Sequence, residues 1–246
     1  MKFLKIKKWA IALLLTSALT IVQADTVRIM PLGDSITLGM GPLLGNINHN
    51  YMSGYRGYLW QQLHNANYDI DFVGSKSDGA SIVPSFDTDH EGHSGYTTDD
   101  IAAMVYEKLK LNAPDIILLH IGTNDISPYR CAVPSTSAAG LESILDAIDT
   151  YENDYDHSVH VVLSSIIKII TFNQSLRKRY NKNVKKLAEQ RIANGDNLTF
   201  IEMEKDAGLT LFDYADPLHP NRFGYKKIAH VWFDALEAVL VETQAR

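Results

Sequence analysis

The chain has 246 residues, 46% of them hydrophobic and 21% charged, with a formal net charge of −6. That balance excludes a disordered or fibrous chain and is enough to bury one sizeable α/β core. The acidic excess argues against nucleic acid or anionic lipid as a partner and is compatible with a neutral substrate.

The first 24 residues differ in kind from the rest. Lys2, Lys5, Lys7 and Lys8 precede an apolar run from Trp9 to Val22, and Val22-Gln23-Ala24 supplies small residues at a cleavage position. This pattern predicts a secretory signal peptide over 1–24, a mature domain over 25–246 and export to the extracellular or periplasmic space. Cleavage near Ala24 leaves 19 Lys and Arg against 29 Asp and Glu, a net charge of −10. Cys131 stands alone, so it forms no intrachain disulfide, and its polar surroundings carry no signature of a reactive thiol.

Val27 to Leu32 is an apolar run that predicts a buried first strand, stopped by the turn Gly33-Asp34-Ser35. Gly39 to Gly54, rich in glycine and asparagine, predicts a loop, and Tyr55 to Ala66 carries helical spacing. Tyr68 to Val73 predicts the second strand, and Ser75 to Gly95 a long polar loop of the length usually kept for function. Thr97 and Asp100 have capping-box spacing, which predicts a helix running to about Leu109. Ile116 to Ile121 predicts a third strand buried on both faces, followed by Gly122-Thr123-Asn124-Asp125 and a loop from Pro128 to Gly140. A helix over Leu141–Tyr151, a strand over His160–Ser165, a helix over Asn173–Ala193 and a strand over Leu198–Met203 come next. A turn-rich stretch, Asp213 to Asn221, leads into an amphipathic closing helix over Arg222–Val241. Strands alternating with helices predict one domain built on a parallel sheet of about five strands.

Ser35 lies just past the end of the first strand, where open α/β sheets form their active sites. A serine there either caps the next helix or serves as a nucleophile. Acyl transfer also needs a base and a group that orients it. Asp216-Pro217-Leu218-His219 offers both, with the carboxylate three residues before the imidazole and able to reach Nδ1. Asn124, directly beyond a buried strand, suits either an Asx turn or an uncharged oxyanion donor. In a 2-1-3-4-5 strand order Ser35 and Asn124 emerge side by side, and Gly95 is free to add a backbone N–H at close approach.

Gly33-Asp34-Ser35, Gly95, Gly122-Thr123-Asn124-Asp125 and Asp216-Pro217-Leu218-His219 stand in the order of the four blocks of the SGNH, or GDSL, hydrolases, and the resemblance covers essentially the whole mature chain. Finer likeness lies in Arg28–Ser35, Gly54-Tyr55-Arg56, Ile70–Ser75 and Asp89–Thr97, which resemble the acetylxylan esterases of carbohydrate esterase family 3. Ile36 stands where the GDSL name expects leucine. The resemblance implies a single-domain, flavodoxin-like three-layer α/β/α sandwich around a five-stranded parallel sheet. It implies a Ser35–His219–Asp216 triad and an oxyanion hole from the Ser35 and Gly95 N–H groups and the Asn124 amide. No cofactor is implied, although a structural calcium, as in some relatives, has candidate ligands in Asp87, Asp89 and Glu91.

His90 and His93 flank Glu91, but the zinc-protease spacing is His-Glu-x-x-His on a helix, and Gly92 and Gly95 interrupt one here. Ser94 in Gly-His-Ser-Gly lacks the Gly-x-Ser-x-Gly elbow and is expected to be loop structure. The expected partner is an acetylated polysaccharide, xylan above all, or another small acyl ester, with no nucleic acid, no membrane span and no evident obligate protein partner. Tyr51, Tyr96 and Tyr129 are candidates to stack on sugar rings or to pack within their loops. The rival readings are a lysophospholipase or acyl-thioesterase on the same fold, which needs an apolar groove, and a non-catalytic carbohydrate-binding module, which has no need of a triad.

Overall fold

The computed structural model describes residues 26–41, 48–128, 130, 133–170 and 174–244. The expected signal peptide, Tyr129 and Cys131 lie outside the described residues.

Strand β1 (Val27–Gly33) sits at the centre of the sheet and is followed by the single-turn helix α1 (Ser35–Leu38) and by α2 (Arg56–Asn65). Strands β2 (Ile70–Phe72), β3 (Lys76–Ser77) and β4 (Asp89–Gly92) lead to helices α3 (Thr98–Ala102) and α4 (Val105–Asn112). Then come β5 (Ile116–His120), α5 (Ala139–Tyr155), β6 (His160–Ser164), α6 (Gln174–Asn194), β7 (Leu198–Ile201), α7 (Met203–Asp206) and α8 (Arg222–Gln244).

The five expected strands pair in the order β2-β1-β5-β6-β7, all parallel. The strand count needs correction: the sheet has seven strands, because the expected Ser75–Gly95 loop contains β3 and β4. On its β2 side, β1 pairs first with β2, through Val27, Arg28 and Ile29, and then with β4, through Leu32 and Gly33. Strand β3 runs antiparallel to β4.

Side chains of the central strands alternate between two apolar layers, as the period of two dictates. Met30, Leu32, Ile117, Leu119, Val161 and Leu163 join one cluster with Ile101 of α3, Val105 of α4, Ile144 and Ile148 of α5 and Val184 of α6. Ile29, Ile116, Leu118 and Val162 join the other with Leu59 of α2 and Ile228, Trp232 and Leu236 of α8. The result is a three-layer α/β/α sandwich. Because both faces of β1 and β5 are covered, their sequences run largely apolar rather than alternating, with Arg28 and His120 near the strand ends as exceptions.

The capping box forms as expected: the Thr97 hydroxyl accepts from the Asp100 N–H, and the Asp100 carboxylate accepts from the Thr97 N–H. The helix that it starts is split in two. Met104 N–H bonds to Ile101 O, a tightened turn that ends α3 before α4 begins.

Candidate active site

Three loops leave the C-terminal ends of adjacent strands at one level. Gly33 of β1 is in register with Gly92 of β4 on one side and with His120 of β5 on the other. Ser35, Gly95 and Asn124 follow these three residues within a few positions. The loops are also tied across: His93 N–H donates to Gly33 O at 2.8 Å, and Asn124 Nδ2 donates to Tyr96 O at 2.8 Å. Asp125 accepts from the Thr98 N–H and from its hydroxyl at 2.5 Å, and Arg130 Nε donates to Gly95 O at 3.1 Å.

Asp34 caps α1, its Oδ1 accepting from the Ile36 N–H at 2.9 Å, and this sets Ser35 as the first residue of the turn. The Asp34 carboxyl is fully buried. Burial pushes its pKa up to about 7, against the opposing effects of the Ile36 N–H and the Thr123 hydroxyl. Its Oδ2 makes no hydrogen bond of normal geometry.

His219 is delivered by the turn ahead of α8. Asp216 Oδ1 accepts the backbone N–H groups of Leu218 (2.8 Å) and His219 (2.7 Å), which closes the turn. Its Oδ2 lies 2.9 Å from His219 Nδ1, and His219 Nε2 lies 3.0 Å from Ser35 Oγ. Burial alone raises the Asp216 pKa, but the hydrogen bonds from His219 and Leu218 outweigh it and hold the carboxyl below its ordinary value. An ionised Asp216 assigns the proton to Nδ1 and leaves the Nε2 lone pair facing the serine hydroxyl. Ser35, His219 and Asn124 are all buried, so this chain of groups is shielded from bulk water. The turn is anchored to α8 by Lys227 Nζ on Asp213 Oδ2 at 2.7 Å and by Asn221 N–H on Asp213 O at 2.8 Å.

Asn124 spends one amide hydrogen on Tyr96 O and, among the described residues, gives the second to no other partner. Gly95 has φ +80°, a conformation that favours glycine, and the Arg130 guanidinium packs where a Cβ would stand. Among the described residues, neither the Ser35 nor the Gly95 N–H donates to a backbone carbonyl. A nucleophile hydrogen-bonded to a base, an orienting carboxylate and free N–H donors are together what acyl transfer requires.

His90 and His93, the pair that flanks Glu91, are committed elsewhere. His90 Nε2 pairs with Asp78 Oδ2 at 2.9 Å while its Nδ1 accepts from the Gly92 N–H, and His93 Nε2 pairs with Glu91 Oε1 at 2.6 Å. Two of the candidate calcium ligands, Asp87 and Glu91, are engaged within the protein. Asp87 accepts from the Phe72 and Asp89 N–H groups and Glu91 from Ser75 and His93. Among the described residues, no group of three or more His, Cys, Asp or Glu side chains converges as a metal site. Ser94 donates to Met40 Sδ at 3.0 Å and is loop structure.

Three residues that hold the site have roles no local pattern reveals, although Arg56 falls in a stretch that resembles the family 3 esterases. Arg56 is fully buried and donates to the carbonyls of Thr37, Leu38, Met52, Asp78 and Thr88, pinning the loops behind α1. Tyr180 of α6 fills the space beside Gly122 and donates to Ile121 O at 3.1 Å. Arg130 covers Gly95. A buried arginine with only carbonyl partners, or a tyrosine on a helix that is distant in sequence, leaves no local pattern.

The family model described as GDSL-like Lipase/Acylhydrolase matches residues 29–232. The chain belongs to this family. This SGNH hydrolase is 31% identical, over 88% of its length, to a multidomain esterase of Ruminococcus flavefaciens, of whose length it spans 29%. A family 3 carbohydrate esterase of Clostridium thermocellum has a similar structure, with a TM-score of 0.72 and 32% identity over 87% of this chain and 99% of that one. A carbohydrate esterase of family 3 from Talaromyces cellulolyticus also scores 0.72, at 26% identity over 88% and 99% of the two chains. The hydrolase is a carboxylic ester hydrolase of mixed α/β fold. Among the described residues no helix is long and apolar enough to cross a membrane.

Proposed function

We propose that this hydrolase is a secreted serine esterase that removes O-acetyl groups from plant polysaccharide, acetylxylan above all. The observation that carries the proposal is the unbroken chain Ser35 Oγ–His219 Nε2 (3.0 Å) and His219 Nδ1–Asp216 Oδ2 (2.9 Å) beside Gly95 and Asn124. Ser35 Oγ attacks the acetyl carbonyl carbon while its proton passes to His219 Nε2. The resulting oxyanion takes hydrogen bonds from the Ser35 and Gly95 N–H groups and from Asn124 Nδ2. Collapse expels the sugar oxygen, which leaves as a hydroxyl with the proton from His219. Water then attacks the acetyl-enzyme, giving its proton to Nε2. The second collapse returns that proton to Ser35 and frees acetate. The likeness to two family 3 carbohydrate esterases supports a carbohydrate as the alcohol.

Acetate release from acetylated xylan, run beside aryl esters of two to sixteen carbons, tests the reading. Acetyl esters should lead, octanoyl and longer should be nearly inert, and the polymer should release acetate without depolymerisation. Rates that climb with chain length, at about 0.8 kcal/mol of binding per buried methylene, with no acetate from the polymer, would turn the assignment to a lipid hydrolase. Ser35→Ala should abolish turnover on every ester while remaining folded, and Ser94→Ala should keep most of it.

A further inference from the structure

A cavity of about 700 Å³ lies beside the candidate active site and is not part of it. Its volume falls within the roughly 300–1,000 Å³ common for small-molecule sites. One side comes from residues 48–58, including Tyr51 and Tyr58, and the other from Ala215 and the start of α8, including Arg222 and Phe223. The wall continues into the catalytic elements. Met40 lines it and donates its N–H to Ser35 O at 3.0 Å, and Ala215 lines it and donates its N–H to His219 O at 2.9 Å.

The chemistry of the lining is mixed in a particular way. Tyr51 is 61% exposed and Phe223 55%, and both rings line the cavity. The Arg222 guanidinium lies 4.7 Å over the Phe223 ring, which orients that ring and leaves a cation at the cavity edge. Among the described residues, the hydroxyls of Tyr51, Tyr58 and Ser53 and the guanidinium of Arg222 make no hydrogen bond or ion pair. A fatty chain would satisfy the rings and the apolar side chains of Met40, Met52, Ile82 and Pro220, but it would strip water from those polar groups without replacing it, which carries an unreturned desolvation cost. A sugar residue satisfies both, with its C–H face on a ring and its hydroxyls on the free donors and acceptors.

We propose that this cavity is a glycan subsite that takes a sugar residue of the polysaccharide on the alcohol side of the scissile ester, with Tyr51 and Phe223 as its stacking platforms. The proposal rests on the polysaccharide-esterase reading above and adds the place where the chain is held. Tyr51→Ala and Phe223→Ala remove exposed side chains, and thermal melts check that both variants fold.

The readout is the ratio of kcat/KM on an acetylated xylo-oligosaccharide to kcat/KM on 4-nitrophenyl acetate. Each variant should lower that ratio about three- to tenfold, through KM for the oligosaccharide, and Tyr51→Phe should restore most of it. In the Ser35→Ala background, Phe223→Ala should weaken xylohexaose binding by the same factor. A wild-type ratio in both alanine variants, or a parallel fall on both substrates, overturns the subsite while leaving the esterase reading intact. A wild-type protein that cleaves 4-nitrophenyl acetate but frees no acetate from acetylated xylan overturns the polysaccharide reading, and the subsite with it.

Discussion

Strands β4 and β5 flank β1 on opposite sides and deliver Gly95 and Asn124 to the same site, yet they are held by opposite physics. Strand β5 is Ile-Ile-Leu-Leu-His, with four aliphatic side chains divided between the two apolar layers. Strand β4 is Asp-His-Glu-Gly, and its buried residues His90 and Glu91 are secured by named partners: Asp78 for His90, and Ser75 and His93 for Glu91. Lys108 adds a longer contact to Glu91, 3.6 Å away. Hydrophobic burial is non-directional and tolerates small shifts, whereas a buried polar network holds only while each partner is in place. The sheet thus reaches the Gly95 loop through its less forgiving side.

Stability should separate the two strands first. Glu91→Ala leaves His93, Ser75 and Lys108 facing an empty polar pocket and should cost about 3–5 kcal/mol, as broken buried charge pairs do. Leu118→Ala should cost about 2–5 kcal/mol through lost transfer energy and a cavity. Urea unfolding measures both, and a Glu91→Ala protein as stable as wild type would break the comparison outright.

Kinetics sharpen it next. Removing one preorganised donor typically costs about 10²–10³ in kcat, so Asn124→Ala should fall in that range with KM little changed. Gly95→Ala should lose activity and some stability, because a Cβ strains the backbone at φ +80° and displaces the Arg130 guanidinium from Gly95. A loss confined to KM in Asn124→Ala would mean that its amide binds the ground state.

The pH response is smaller and has a defined sign. Burial first, then the nearby Arg56 charge, pushes the His90 pKa down from 6.5 to about 2. The folded protein therefore refuses a proton that the unfolded chain accepts below pH 6.5, and stability falls as pH drops through that window. His120, at the end of β5, is pushed by burial to about 4 and acts in the same direction over a narrower span. Glu91 is buried, but hydrogen bonds from His93 and Ser75 depress its pKa, so its contribution is lost below about its ordinary 4.5. Asp34, raised to about 7, opposes these by relaxing as pH falls toward 3.8. The stability gap between wild type and His90→Gln should narrow between pH 6.5 and pH 4.5 in urea titrations. A constant gap would mean that His90 does not titrate on unfolding.

The smallest effect is expected from chelation. With His90, Glu91 and His93 already paired inside the protein, dialysis against EDTA should leave both activity and melting temperature unchanged. Activity lost on dialysis and restored by zinc would reassign the histidine pair.

Much of this protein was legible residue by residue. The apolar runs of β1 and β5, the Thr97–Asp100 capping box and the Asp216–His219 spacing each encode a local interaction, and local interactions survive translation from sequence to structure. The 2-1-3-4-5 strand order entered only as a condition and through the resemblance to the SGNH hydrolases, and the five parallel strands adopt it. Strand β4 was not legible, and the reason is physical: His90 and Glu91 look like loop residues until Asp78 and Ser75, 12 and 16 positions earlier, arrive as partners. Tertiary structure alone decided that Arg56 is a buried strut with five carbonyl partners, that Arg130 covers Gly95, and that Tyr180 supports the turn before Asn124. Sequence determined which groups lie at the strand ends, because burial and turn chemistry act over a few residues. Only the fold determined which distant groups hold them in place, because a hydrogen bond between remote segments has no period along the chain.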